Sequence, residues 1–260
     1  MFSRFTVAIA AVGSLLIFTW PFTVSAQMTN DALLAQATFV FLMPLLVTLL
    51  FIELTSGRLD SRELALLGVL AALNAVVRML GAGVAGVETA FFLIIIGAFV
   101  FGPAFGYLLG ASSLLVSALV TGGVGPWLPF QMMAAGLVGI GAGLLPRPTI
   151  KWLQTMVLIG YAVVASFGYG ALMTMWNWPY LAGTGTDLSY LAGAGPTENL
   201  LRFVRYELFT GGLLWDLGRA VTTSALLAIS APALLATLDR AANKAGVKRF
   251  SFRGKAPKQR

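Results

Sequence analysis

Residues 88–146 read ETAFFLIIIGAFVFGPAFGYLLGASSLLVSALVTGGVGPWLPFQMMAAGLVGIGAGLLP. Three apolar runs are separated by two tight breaks, Phe101-Gly102-Pro103-Ala104-Phe105-Gly106 and Gly122-Gly123-Val124-Gly125-Pro126-Trp127, and charge is almost absent. Such runs belong in a bilayer, where hydrocarbon tolerates backbone only as hydrogen-bonded helix or closed barrel. They lack the strict alternation of a barrel strand, so helices are expected. Each break reverses the chain, which predicts three antiparallel helices. The run 89–101 supplies only about 20 Å of helix, short of a hydrocarbon layer of about 30 Å. It must borrow from Gly86-Val87 or stop short of one face. Gly102, Gly106 and Gly110 form one small-residue strip, Gly139 and Gly143 another, and both predict close helix packing.

Composition extends this reading to the whole chain. Of 260 residues, 58% are hydrophobic and 10% charged, against about 25% charged in soluble domains. Mean hydropathy is +0.86. The fold class expected is all-α, a polytopic transmembrane helical bundle. Cysteine and histidine are both absent. That removes thiol nucleophiles, disulfides, Cys/His zinc sites and the usual general base. No phosphate-binding Gly-x-x-x-x-Gly-Lys-Ser/Thr run occurs, so energy for uphill transport would come from a gradient or another subunit. The net charge of +7 reflects basic residues clustered between Arg240 and Arg260, which read as a tail near anionic lipid.

Outward from the central stretch, apolar runs at 5–22, 33–52, 64–80, 153–175 and 208–238 complete eight expected spans. The first ends Val24-Ser25-Ala26, the small-residue form of a signal cleavage site. Its length of about 18 residues, near the minimum for a span, favours a retained helix. The run 64–80 carries Ala71-x-x-x-Ala75 and Gly68-x-x-x-Ala72 with Asn74 between, a smooth strip suited to packing against another helix. Arg78 and Glu88 flank the glycine-rich turn after it and read as an interfacial pair or as ligand groups. Residues 176–206 read as a long loop, opening Trp176-Asn177-Trp178-Pro179-Tyr180 and repeating Tyr-Leu-Ala-Gly at 180 and 190. Its aromatics suit an interfacial belt. Asp216 and Arg219 stand three apart on one helix face and can pair. An intramembrane ion pair is either a packing device or a site facing a ligand or gate.

Eight spans place both termini on one side. A cytoplasmic assignment puts Arg4, Arg58, Arg62, Arg147, Lys151 and the basic tail inside, as the positive-inside rule requires. If the first segment is cleaved, the later loops keep their sides.

At this point the residues resemble a family. The stretch 64–146 is similar to the substrate-binding S components of energy-coupling factor (ECF) transporters, the prokaryotic importers of vitamins and trace nutrients. The Ala71/Ala75 strip, the Phe-Gly-Pro-x-x-Gly turn at 101–106 and six-helix spacing across 64–238 carry the resemblance. Gly122 to Gln131 and Trp215-Asp216-Leu217-Gly218-Arg219 look like an actinobacterial branch with a longer N-terminus. The resemblance implies a six-helix binding core in 58–240; the two helices expected in 1–57 depart from the family's six-helix form, and 241–260 is the basic tail. It implies a plasma-membrane subunit without enzymatic activity or cofactor, working with a transmembrane coupling subunit and two ATPases that alone use ATP. Gly68, Ala71, Ala72 and Ala75 would be the docking face. Loops 81–88, 121–127 and 176–206 would wall a pocket for a vitamin-like molecule at the outer side.

Within that frame the candidate ligand residues are Asn74, Arg78, Glu88, Trp127, Gln131, Trp176, Trp178, Asp216 and Arg219. Trp127 offers a stacking face and Gln131, one turn into its helix, both donates and accepts hydrogen bonds. Gly122, Gly123 and Gly125 let the loop approach a ligand closely. Aromatic and amide groups suit a flat heteroaromatic ring with a few polar edges. The competing reading is a self-sufficient secondary carrier using Asp216 and Arg219 in proton coupling.

Overall fold

A computed structural model describes residues 4–23, 32–56, 59–81, 87–181, 186–191, 193–210 and 212–246. The described residues are helical, with no strand among them. The helices are α1 (Arg4–Phe18), α2 (Trp20–Thr23), α3 (Ala32–Thr55), α4 (Ser61–Gly81), α5 (Phe91–Phe101), α6 (Pro103–Thr121), α7 (Leu128–Gly143), α8 (Lys151–Leu181), α9 (Pro196–Phe209) and α10 (Gly212–Ala245). Segments Ser61–Gly81, Pro103–Thr121, Lys151–Pro179 and Gly212–Lys244 are long and apolar enough to cross a membrane. Val7–Phe18, Val40–Thr55, Phe91–Phe101 and Leu128–Gly143 are shorter apolar helices. The tail beyond residue 246 and most of the turn 81–88 lie outside the described residues.

α5 is the centre of the bundle. All eleven of its residues are buried, so it has no lipid-facing side and its sequence shows no amphipathic period. It does not extend back to Val87, which lies outside the helix. Its neighbours, not lipid, surround it, so the length mismatch carries little cost. α5 ends at Gly102, whose φ of 98° lies where side-chain-bearing residues rarely go. Gly102 both receives the end of α5 and begins α6, and Pro103 follows at the first helical position, where its missing N–H would be unpaired anyway. Arg147 fastens the same turn by donating to the Val100 carbonyl at 3.0 Å.

α6 and α7 run antiparallel with their backbones touching. A Cβ on Gly106 would overlap the Gly139 carbonyl, and one on Gly139 would overlap Gly106. The two glycine strips therefore pack against each other, which suits lipid, where packing rather than hydrophobic burial drives association. α4 is capped by its own sequence: the Asp60 carboxylate accepts from the Glu63 N–H at 2.7 Å, and Glu63 accepts from the Asp60 N–H at 3.3 Å. That is a reciprocal capping box.

Two features differ from the sequence expectation. First, residues 176–181 continue α8 instead of opening a loop, and the connection to α10 contains α9. α9 buries Asn199, Phe203 and Glu207, residues four apart and so on one helix face. Another side of the helix carries the Glu198–Arg202 ion pair at 3.1 Å. A hydropathy window reads this helix as loop because Glu198, Asn199, Arg202, Arg205 and Glu207 interrupt its apolar residues. Second, the N-terminal segment is packed into the bundle. Phe18 is wholly buried and meets Phe130 of α7 edge-on at 5.7 Å. Phe22 packs on Trp178 and Phe203.

Candidate functional site

A cavity of about 300 Å³ opens between α8, α9 and the start of α10. That lies at the small end of the range for small-molecule sites, about 300–1,000 Å³. Its walls include Thr174 and Asn177 from α8, Tyr206 from α9, and Trp215, Asp216 and Arg219 from α10. Two glycines make the space. A Cβ on Gly170 would collide with the Asp216 carboxylate, and one on Gly212 would sit 2.9 Å from both Glu207 oxygens.

Asp216 and Arg219 pair across one helical turn, with side-chain exposures of 3% and 13%. The same guanidinium donates to the Ser166 carbonyl at 3.1 Å. Its plane lies over Tyr169 at 5.0 Å and Phe91 at 5.8 Å. Those contacts hold α10 to α8 and to the central helix. Beside the pair, Glu207 is 8% exposed and neither carboxylate oxygen has a hydrogen-bond partner. Burial pushes its carboxyl above the usual range; the nearby Thr174 hydroxyl and Arg219 charge only partly oppose that, and neither meets it in hydrogen-bonding geometry. An unpaired buried carboxylate is costly, so this group marks a site whose partner comes from elsewhere or whose charge is removed by a proton.

The sequence candidates divide. Asp216 and Arg219 line the cavity. Asn74, Arg78 and Glu88 form a separate polar seam between α4 and α6. Asn74 is fully buried and donates to Ser113 at 2.9 Å, Arg78 donates to Ser117 at 3.0 Å, and Arg78 lies 4.0 Å from Glu88. Tyr169 sits within electrostatic reach of both seam and cavity. Trp127 is 44% exposed and its indole donates to the Gly123 carbonyl at 3.3 Å. Trp127 and the half-buried Gln131 are not among the residues lining the cavity.

Trp176 and Trp178 are not among the residues lining the cavity. Trp176 stacks on Phe130 at 4.5 Å, and Trp178 is wholly buried among Phe22, Tyr190 and Phe203 with its indole donating to the Leu188 carbonyl at 2.8 Å. Continuing α8 two turns past residue 175 turns these rings inward. Ala71 and Ala75, expected at a docking face, are buried. They are 4% and 3% exposed, within the chain's own core, whereas Gly68 and Ala72 are exposed. A 3.6-residue helix centres the 68/72 strip roughly 60° round from the 71/75 strip, and only the first of the two is free.

Glu207, Tyr206, Thr174 and Asn177 were not singled out in the sequence. The four-residue period of Asn199, Phe203 and Glu207 was the available signal. Among the described residues no cluster of three or more His, Cys, Asp or Glu forms a metal-binding group.

A bundle with several helices long and apolar enough to cross a bilayer defines a multi-pass membrane protein. The family profile "ECF transporter, substrate-specific component" matches residues 62–236, and the chain belongs to that family. No curated protein and no solved structure is significantly similar to it. Members are transport-binding subunits and not enzymes, and membership implies association with ECF coupling and ATPase subunits.

Proposed function

We propose that this subunit captures a vitamin or related micronutrient in the cavity between α8, α9 and α10 at the outer membrane face, with both termini cytoplasmic. It then delivers the molecule through a coupling subunit and two ATPases. The observation that carries the ligand site is the cavity itself, lined by the Asp216–Arg219 pair, Asn177 and two aromatic residues, so that charged, hydrogen-bonding and stacking groups converge on one small space. The docking face on this reading is the exposed strip of Gly68 and Ala72, flanked by Val69, Leu73 and Val76 at 59%, 50% and 60% exposure. Small residues there let a partner helix approach closely.

Mass spectrometry of molecules that copurify with the chain tests the ligand class. Asn177→Ala should weaken binding of the copurifying molecule by about ten- to a hundredfold, the worth of a buried hydrogen bond. Gln131→Ala should leave it unchanged. Uptake by the purified chain alone in liposomes would instead favour a self-sufficient carrier.

A further inference from the structure

We infer that the part of the ligand held in this cavity is uncharged and carries hydrogen-bond donors and acceptors on a planar frame, as an amide, a urea or a lactam ring does. The inference rests on the cavity being the ligand site. Charge, hydrogen bonding and the nature of the wall each support it.

The charge of the cavity is balanced within the chain. Among the described residues that line it, only Asp216 and Arg219 carry formal charge, and they pair with each other. Arg219 also donates to the Ser166 carbonyl at 3.1 Å, and the Asp216 side chain is only 3% exposed. Nearby charges do not line the cavity. Both Glu207 oxygens are enclosed by protein, and burial raises that carboxyl towards its neutral form. Arg202 pairs with Glu198 at 3.1 Å, and Arg205 is exposed. A cation or an anion that entered would shed its water without gaining an unpaired counter-charge, and such desolvation is costly.

The cavity does offer neutral polar groups. Thr174 and Asn177 come from α8, and Tyr206 and Thr210 from the end of α9. The Asn177 amide both donates and accepts, and a hydroxyl can do either. The Thr210 hydroxyl donates to the Tyr206 carbonyl at 2.7 Å, which leaves its oxygen to accept from a ligand. A ligand with polar atoms on two edges meets both helices at once.

Tyr206 and Trp215 add flat faces to the same wall, suited to stacking on a planar group. Such faces also draw cations, but at a partly open site only by about two- to fivefold in affinity, and Trp215 is 49% exposed. That gain is smaller than the penalty for desolvating an unbalanced charge.

The test uses the full chain in detergent near neutral pH and three planar probes of nearly one shape: benzamide, benzamidinium and benzoate. Isothermal titration should show benzamide binding about tenfold or more tighter than either ion. Asn177→Ala should weaken benzamide by a similar factor. Asp216→Asn leaves the Arg219 charge unbalanced, and should make benzoate the tightest of the three. If benzamidinium or benzoate equals benzamide on the native chain, and Asn177→Ala weakens that binding, the inference of an uncharged ligand falls while the cavity remains the ligand site. An order of affinities that Asp216→Asn leaves unchanged overturns the inference likewise. If no probe binds, or Asn177→Ala changes nothing, the cavity is not the site and both readings fall. The comparison of probes on the native chain decides the matter even if Asp216→Asn fails to fold.

Discussion

Replacing Arg219 with methionine tests whether the Asp216–Arg219 pair is a true intramembrane ion pair. The substitution keeps length and apolar bulk but leaves Asp216, with a side chain only 3% exposed, as an uncompensated buried carboxylate. Breaking a buried pair in this way costs about 3–5 kcal/mol. Solvent screening is negligible at this burial. Loss of the Ser166 hydrogen bond and of the contacts over Tyr169 and Phe91 acts in the same direction. For a chain of this size such a loss corresponds to a fall of about 6–20 °C in melting temperature. The companion variant Asp216→Asn/Arg219→Met removes both charges. It should recover most of the loss, because replacing a buried pair by neutral groups is often close to neutral. Thermal melting of the native chain, both single variants and the double variant in one detergent completes the cycle. A loss below about 1 kcal/mol for Arg219→Met would place the pair in the energy range of solvated surface pairs. A double variant as unstable as Arg219→Met would show that packing, not charge, is what Arg219 supplies. Either result refutes the reasoning.

Three further outcomes follow from the same geometry. Ala72→Trp should abolish assembly with the coupling subunit while leaving melting and ligand binding unchanged. Ala71→Trp, aimed into the core at 4% exposure, should cost at least about 1–3 kcal/mol by overpacking; pull-down with the coupling subunit and thermal melts separate the two. Glu207 has its carboxyl raised by burial. Its contribution to stability is therefore present below the ordinary carboxyl range and lost as pH rises through its higher folded value. Among the groups around it, Asp216 adds negative charge, Arg219 positive charge, and Tyr206 is a neighbour on its own helix. The ligand-free chain should thus lose melting temperature as pH rises above the ordinary carboxyl range, and Glu207→Gln should flatten that slope. Finally, Phe18→Ala should destabilise the bundle by about 3–5 kcal/mol because Phe18 is wholly buried against Phe130. An intact mass that begins at Gln27 would show that this helix is absent from the mature protein.

The sequence alone decides that this chain is a helical membrane bundle, and it also marks where the chain turns. Both follow from local physics: long apolar runs without charge, a Gly-Pro break that only glycine geometry allows, and glycines four apart that pack where α6 meets α7. Asp216 and Arg219 were equally legible, since two opposite charges three apart in an apolar run have little choice but to pair. What the sequence leaves open is direction. Whether Ala71 or Ala72 faces outward depends on which side of α4 the central helix occupies. Trp176 and Trp178 look interfacial until α8 is seen to continue past them and turn them into the aromatic core. Glu207 could not be found by a hydropathy window, because its helix mixes charged and apolar residues and the stripe it buries is itself partly polar. Its significance depends on Gly212, Thr174 and Arg219 meeting it from two other helices. Periodicity reports how each helix divides into faces, but only tertiary packing assigns each face a neighbour, and a ligand site exists only where several faces meet.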